Sequence, residues 1–166
     1  MKLKSWVRHP LQMLRILSYV WKAHRPSTVQ DMPAVVDTIW LKSGYDALTF
    51  FGVILTHSHQ DADHMNSRLD ALKNHEMIHL KQAVSTGDSW WRFYRLYIRY
   101  WLQGWRLRKR YKNIGYSLNP FEMEAYEHMH DLSYLENCRD GATEWRRYAK
   151  MTIEERIKYK KIISNA

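Results

Sequence analysis

A chain of 166 residues suits one domain, large enough for a modest core without disulfide or metal staples. Its single cysteine, Cys138, excludes an intramolecular disulfide; with no second cysteine and no motif around it, it reads as inert in a chain that needs no oxidising compartment. The net charge of +9 at pH 7 demands a cause, either a solvated basic face or an anionic partner.

Residues 1–30 form a helical segment, in which Leu11 to His24 reads as a helix that stops before Arg25-Pro26. Met1 to Ala23 is broken by Arg8, His9, Pro10 and Arg15, so no secretory signal is expected. No run of about 18 uncharged apolar residues occurs, so no bilayer span is expected either. The expected location is cytoplasmic, with a membrane-peripheral placement as the variant. Pro33 opens an extended region in which Val35, Val36, Ile39, Trp40 and Leu41 are β-prone, and Gly44 marks a turn. Leu48 to Thr56, aromatic and β-branched, is the best strand of the 31–60 stretch. With the 35–42 run it is expected to make an antiparallel hairpin.

The polar run Thr56-His57-Ser58-His59-Gln60-Asp61-Ala62-Asp63-His64 is similar to the H-x-H-x-D-H signature of metallo-β-lactamase-type hydrolases. Extra residues separate His59 from Asp63-His64, and a largely helical pattern leaves no room for that fold's β-sandwich. The run is therefore read as a polar loop leaving a strand toward the mouth of a site, with at most a weak secondary metal contact.

A helix is expected over about 66–85, because Leu69, Leu72, Met77 and Leu80 recur near helical spacing and no proline or glycine interrupts 65–86. Ser67 is the candidate N-cap. Within it stands His75-Glu76-Met77-Ile78-His79, an H-E-x-x-H run. Residues four apart lie on one helix face about a pitch from each other, so both imidazoles reach one ion with Glu76 beside it. Zinc held so would bring its water toward a pKa of ~7, with Glu76 as the base that takes the proton. The plain alternative, an amphipathic helix with two histidines on its polar edge, leaves Glu76 unexplained. Gln82, one turn beyond His79, reads equally as a buried hydrogen-bonding partner or a surface residue.

Asp88 to Lys112 supplies much of the charge. Trp90, Trp91, Tyr94, Tyr97, Ile98, Trp101 and Trp105 interleave with Arg92, Arg95, Arg99, Arg106, Arg108, Lys109, Arg110 and Lys112. The first expectation is packing of the rings against the metal helix with solvated arginines outside. An anionic membrane surface comes next, helped by Lys2, Lys4, Trp6, Arg8, Arg15 and Trp21 of the first helix, and nucleic acid after it.

Asn119 and Pro120 read as an N-cap and a proline at the first position of a helix over about 119–137, which puts Glu122 in its first turn, where a carboxylate can point back at the metal. Glu124, His128 and His130 are the other acidic or imidazole groups there. At this point the chain resembles the gluzincin class of zinc peptidases, whose second helix carries the third ligand within an E-x-x-A pattern. Glu122-Met123-Glu124-Ala125 fits it, and the resemblance selects Glu122 over Glu124. The phrases H-E-x-x-H-x-x-Q and N-P-F-E-x-E-A-Y are also similar to small bacterial proteins grouped with metallopeptidases. Many gluzincins carry an aspartate four residues beyond the ligand glutamate, where this chain has Tyr126. Tyr111, Tyr116 and Tyr126 are candidates to stabilise an oxyanion. Helices near 142–150 and from Thr152, whose hydroxyl and Glu155 form a capping-box pattern, close the chain.

The expectation is a single metallopeptidase-like domain over 1–166, α+β and helix-dominated, zincin-like by resemblance, with a short N-terminal β-hairpin or small sheet. It would hold one Zn²⁺ through His75, His79 and Glu122, use Glu76 as general base and hydrolyse a peptide or protein substrate. The competing expectation is a non-catalytic, zinc-stabilised basic module that binds a membrane surface or nucleic acid.

Overall fold

Three short apolar runs, two of them buried on both faces, make the sheet on which the rest of the chain is organised. The computed structural model describes residues 4–22, 25–29, 31–37, 40, 41, 43–105 and 114–164. Strands β1 (Ala34–Val36), β2 (Ala47–Phe50) and β3 (Val53–Thr56) lie in the order β1-β3-β2. β1 runs parallel to β3 with Ala34 opposite Ile54, and β2 runs antiparallel to β3 with Thr49 opposite Ile54. The expected hairpin between 35–42 and 48–56 is therefore not formed; Ile39 and Lys42 of the first run lie outside the described residues. Instead the 48–56 run folds back on itself at Phe51-Gly52, both at positive φ (46° and 85°), the geometry of a two-residue type I′ turn. A phenylalanine in that conformation is strained, and its ring is held by Trp90, Trp91 and Tyr94 while its N–H donates to the Tyr94 hydroxyl.

Successive strand residues point to opposite faces, and each face has its own cover. Helix α1 (Lys4–Lys22) packs Ile16, Tyr19 and Val20 on Val35, Phe50, Val53 and Leu55. The other face carries the main core, in which Ala34, Ala47 and Ile54 meet residues of the remaining helices, Phe93, Phe121 and Trp145 among them. The outer edge of β1 is closed by Asn66, whose amide exchanges two hydrogen bonds of 2.9 Å with the backbone of Ala34.

The 57–64 run is not a loop but the start of α2 (His59–Ser67), capped by Ser58, whose hydroxyl accepts from the N–H of Asp61. Helix α3 (Ala71–Ser85) begins later than the expected boundary because Asp70, not Ser67, is its N-cap, accepting from the N–H of Lys73 at 2.9 Å. Asp70 also binds His64 at 2.9 Å, which fastens the junction between the helices. α3 is buried on its polar side as well: Lys73, Asn74, His75, Glu76, His79 and Gln82 are all inaccessible. The polar edge that carries His75 and His79 thus faces the interior, not solvent.

Helix α4 (Trp90–Trp105) splits its rings, with Trp90, Phe93, Tyr94, Tyr97 and Tyr100 turned inward and Trp91, Trp101 and Trp105 outward. A short α5 (Ile114–Ser117) precedes α6 (Pro120–His128), which starts as expected at the Asn119 cap. The Asn119 amide also donates to Tyr97 O at 3.1 Å and so ties α6 to α4. α6 ends before the 119–137 expectation, and 134–137 form a 3₁₀ turn instead. Gly141, at φ 99°, lets this segment pass so close to α3 that an added Cβ would sit 2.5 Å from the Ser85 nitrogen and 2.6 Å from the Lys81 oxygen. Helices α7 (Trp145–Lys150) and α8 (Ile153–Ser164) follow, the latter with the reciprocal Thr152–Glu155 bonds of a capping box. The architecture is α+β, helix-dominated, with a small three-stranded sheet.

Candidate metal centre

Helix α6 is clamped to α3 at both ends, and that fixes where Glu122 points. Gln82 on α3 donates to Phe121 O at 2.9 Å, and the Asn74 amide donates to the carbonyls of His128, Met129 and Asp131 at 3.0–3.2 Å. Between these clamps Glu122 lies against His75 and His79, all three buried.

His75 Nε2 is 3.4 Å from Glu122 Oε2, and His79 Nε2 is 3.4 Å from Glu122 Oε1. Two N/O ligands each about 2.05 Å from a tetrahedral ion stand ~3.3 Å apart, so each of these spacings is compatible with a shared ion. The ligand atoms of all three residues lie within 4.8 Å of one another. Glu122 Oε2 is buried with no hydrogen-bond partner among the described residues, which a cation between the groups would remedy. Two imidazoles and a carboxylate are a donor set zinc accepts.

The surroundings hold each ligand differently. His79 Nδ1 meets Gln82 Oε1 at 2.8 Å, leaving Nε2 for the metal. Gln82 Nε2 in turn donates to Glu124 Oε2 at 2.7 Å, and Glu124 also accepts from the Tyr134 hydroxyl and the Glu144 N–H. Glu124 is wholly inaccessible, so of the two places open to a carboxylate on the other side of α6 from Glu122, solvent or a contact behind a ligand residue, it takes the second. The carboxylate behind a ligand histidine comes from position 124 by way of an amide. Tyr126, standing where many gluzincins carry that carboxylate, instead lays its ring against His75 at 4.6 Å between centroids. Glu122 Oε1 accepts from the Tyr97 hydroxyl at 2.6 Å. In the sequence Tyr97 reads only as core, and nothing in its ring spacing marks it as the support of a ligand.

In the metal-free chain burial disfavours charge on His79, but the Glu122 carboxylate outweighs it and raises the imidazole to about 9. Burial likewise opposes an ionised Glu122, yet the adjacent His79 and His75 hold it well below the usual carboxylate range. Glu76 is buried beside the group, and Thr49 on β2 donates its hydroxyl to the Glu76 carboxylate. A pocket of about 320 Å³ opens next to His75 and Glu76, lined also by Tyr45, Asp46, Ala47, Tyr116 and Tyr126. The Tyr116 and Tyr126 hydroxyls are 3.3 Å apart, and burial together with the Glu122 charge keeps Tyr116 a protonated phenol. Tyr111 lies outside the described residues.

The rival ligands are not brought to the centre. His128 binds Glu144 at 3.1 Å and stacks on Tyr134, forming with Glu127 and Glu144 a separate cluster nearer the surface, and His130 is exposed. His57 meets Tyr45 O, His64 meets Asp70 and His59 is exposed, so this trio forms no metal group among the described residues. Comparison with known proteins finds no family match, no matching curated protein and no matching solved structure.

Proposed function

We propose that the chain is a zinc-dependent peptidase of gluzincin-like design, with His75, His79 and Glu122 as ligands. The observation that carries this reading is the pair of 3.4 Å separations between buried imidazole and carboxylate atoms, next to a carboxylate, Glu76, that borders an open pocket. Zinc in this position would polarise a substrate carbonyl and acidify the attacking water. Glu76, oriented by Thr49, takes the proton from that water and passes it to the departing amine. Tyr116 and Tyr126, facing the same pocket, are the phenols able to donate to the oxygen that gains charge.

The sheet favours an extended substrate. In the β2–β3 hairpin the pair flanking the turn is hydrogen-bonded, so the backbone groups of Thr49 and Ala47 face away from β3. Tyr94 takes the Thr49 carbonyl at 3.0 Å, whereas Ala47 lies on the pocket wall, where a peptide can add along the edge.

The test is metal content with activity. About one zinc per chain is expected, lost in His75→Ala and His79→Ala and weakened in Glu122→Gln. Glu76→Gln should keep zinc near the wild-type level and lower hydrolysis of a peptide library by roughly 10²-fold. Zinc retained by both histidine variants would remove the centre. Unchanged turnover in Glu76→Gln would remove Glu76 as the base, and no hydrolysis by the zinc-loaded unaltered chain would leave a zinc-stabilised module.

A further inference from the structure

We propose that the chain docks on the surface of an anionic lipid bilayer through the outer face of α4. Trp91, Ile98, Leu102 and Trp105 fall at spacings that stack along one face of α4, and all are exposed, Trp91 by 77 %. Arg92, Arg95 and Arg99 form a strip beside that face, exposed as well. The pattern repeats on α1, where Leu11, Leu14, Leu17 and Trp21 are exposed, Leu11 by 65 % and Trp21 by 76 %, with Arg15 and Lys22 alongside. Neither helix contains an aspartate or glutamate.

The α1 face is not part of this surface. Ser27, just beyond α1, donates to the Asp88 carboxylate from its N–H at 2.9 Å and its hydroxyl at 2.7 Å, and Asp88 stands just before α4. Phe50, which α1 covers, meets Phe51, whose ring touches Trp91. The segment after α1 is thus tied to the start of α4 by Ser27 and Asp88, while the two helices cover opposite faces of the sheet.

Large exposed aliphatic and indole groups cost solubility unless something apolar receives them. A strip of arginines beside them, with no counter-charge on the helix, matches a surface that is apolar below and anionic above, as the headgroup boundary of such a bilayer is. Nucleic acid rewards arginines and stacking rings but offers nothing to Ile98 or Leu102. No helix among the described residues is long and apolar enough to cross a membrane, so the contact is one of surface and not of span. The α4 face does not include the zinc ligands, so this inference stands or falls apart from the peptidase reading.

The test uses the full chain and sedimentation with phosphatidylcholine vesicles, with and without about one-third phosphatidylglycerol. Binding is expected to the anionic vesicles, at least ~10-fold weaker to the neutral ones, and to weaken with added salt. Arg92→Gln, Arg95→Gln and Arg99→Gln together should lower affinity roughly a hundredfold, about fivefold per charge. Ile98→Ser with Leu102→Ser should also weaken it, with circular dichroism unchanged because both residues are exposed. For the unaltered chain, acyl-brominated lipid should quench tryptophan emission, a readout that needs no variant. Absence of binding to the anionic vesicles at low salt would overturn the proposal. So would tighter binding to a single-stranded oligonucleotide that the arginine variant alone reduces, or a dimer that both variants dissolve without any vesicle binding.

Discussion

At the level of single residues, the two ligand histidines are supported unequally. His79 is backed by Gln82 and, through it, by buried Glu124, while His75 Nδ1 has no hydrogen-bond partner among the described residues. Gln82→Met, close in volume but unable to bridge, should weaken zinc binding by the ~10–100-fold typical of lost outer contacts, as measured by chelator competition. Equal affinity in this variant would show that the bridge positions nothing. Thr49→Val should lower kcat with little change in KM or zinc content, because it frees Glu76 without touching a ligand. That His75, Glu76 and His79 share a helix turn was legible from spacing alone, whereas Glu122 was singled out from Glu124 only by the gluzincin resemblance; the fold brings ligand atoms of His75, His79 and Glu122 within 4.8 Å of one another. The roles of Thr49, Tyr97 and Glu124 were not legible: each acts across a contact between elements far apart in the chain, and no local pattern encodes such a contact.

Where elements begin and turn is decided by side-chain hydrogen bonds that compete closely. Ser67 and Asp70 are both good caps by type, but Ser67 is the last residue of α2 with its hydroxyl turned back to His64 O at 2.8 Å, which leaves the cap of α3 to Asp70. Asp70→Ala should therefore destabilise the fold by about 1 kcal/mol or somewhat more, and Ser67→Ala by much less, measured as urea midpoints. Gly141→Ala should cost more than either, since the new methyl meets α3 backbone and the φ of 99° disfavours any side chain. The helices carrying the centre could be read because periodicity and the Asn119-Pro120 start agree with their packing. The 48–56 run could not be resolved: a continuous apolar stretch fits one long strand as well as two short ones. Its only punctuation is a single glycine, preceded by a phenylalanine whose left-handed backbone is held by three aromatic neighbours.

For the whole molecule, the buried His79–Glu122 pair makes stability depend on pH in opposite senses with and without metal. His79, raised from 6.5 to about 9, binds its proton more tightly folded than unfolded, so the metal-free chain should lose stability as pH rises through that interval. Glu122 is displaced downward from 4.5, so its contribution should fade as pH drops below that value. The metal-free protein should thus melt highest between 4.5 and 6.5. Zinc needs both groups deprotonated, so its stabilisation should grow from pH 6.5 to 9, where the metal-free protein weakens. Melting curves with zinc and with chelator should diverge across that range; parallel curves would contradict the pairing. The placement of the ligands also sets an order in time. His75 and His79 share one turn of α3, but Glu122 stands on α6, so the three groups come together only when α6 is docked on α3 through Asn74 and Gln82. Until then an ion would meet two imidazoles on a lone helix and exchange freely. On the proposed zinc reading, secure loading would require a docked α6, and a chain arrested before that contact would be metal-poor.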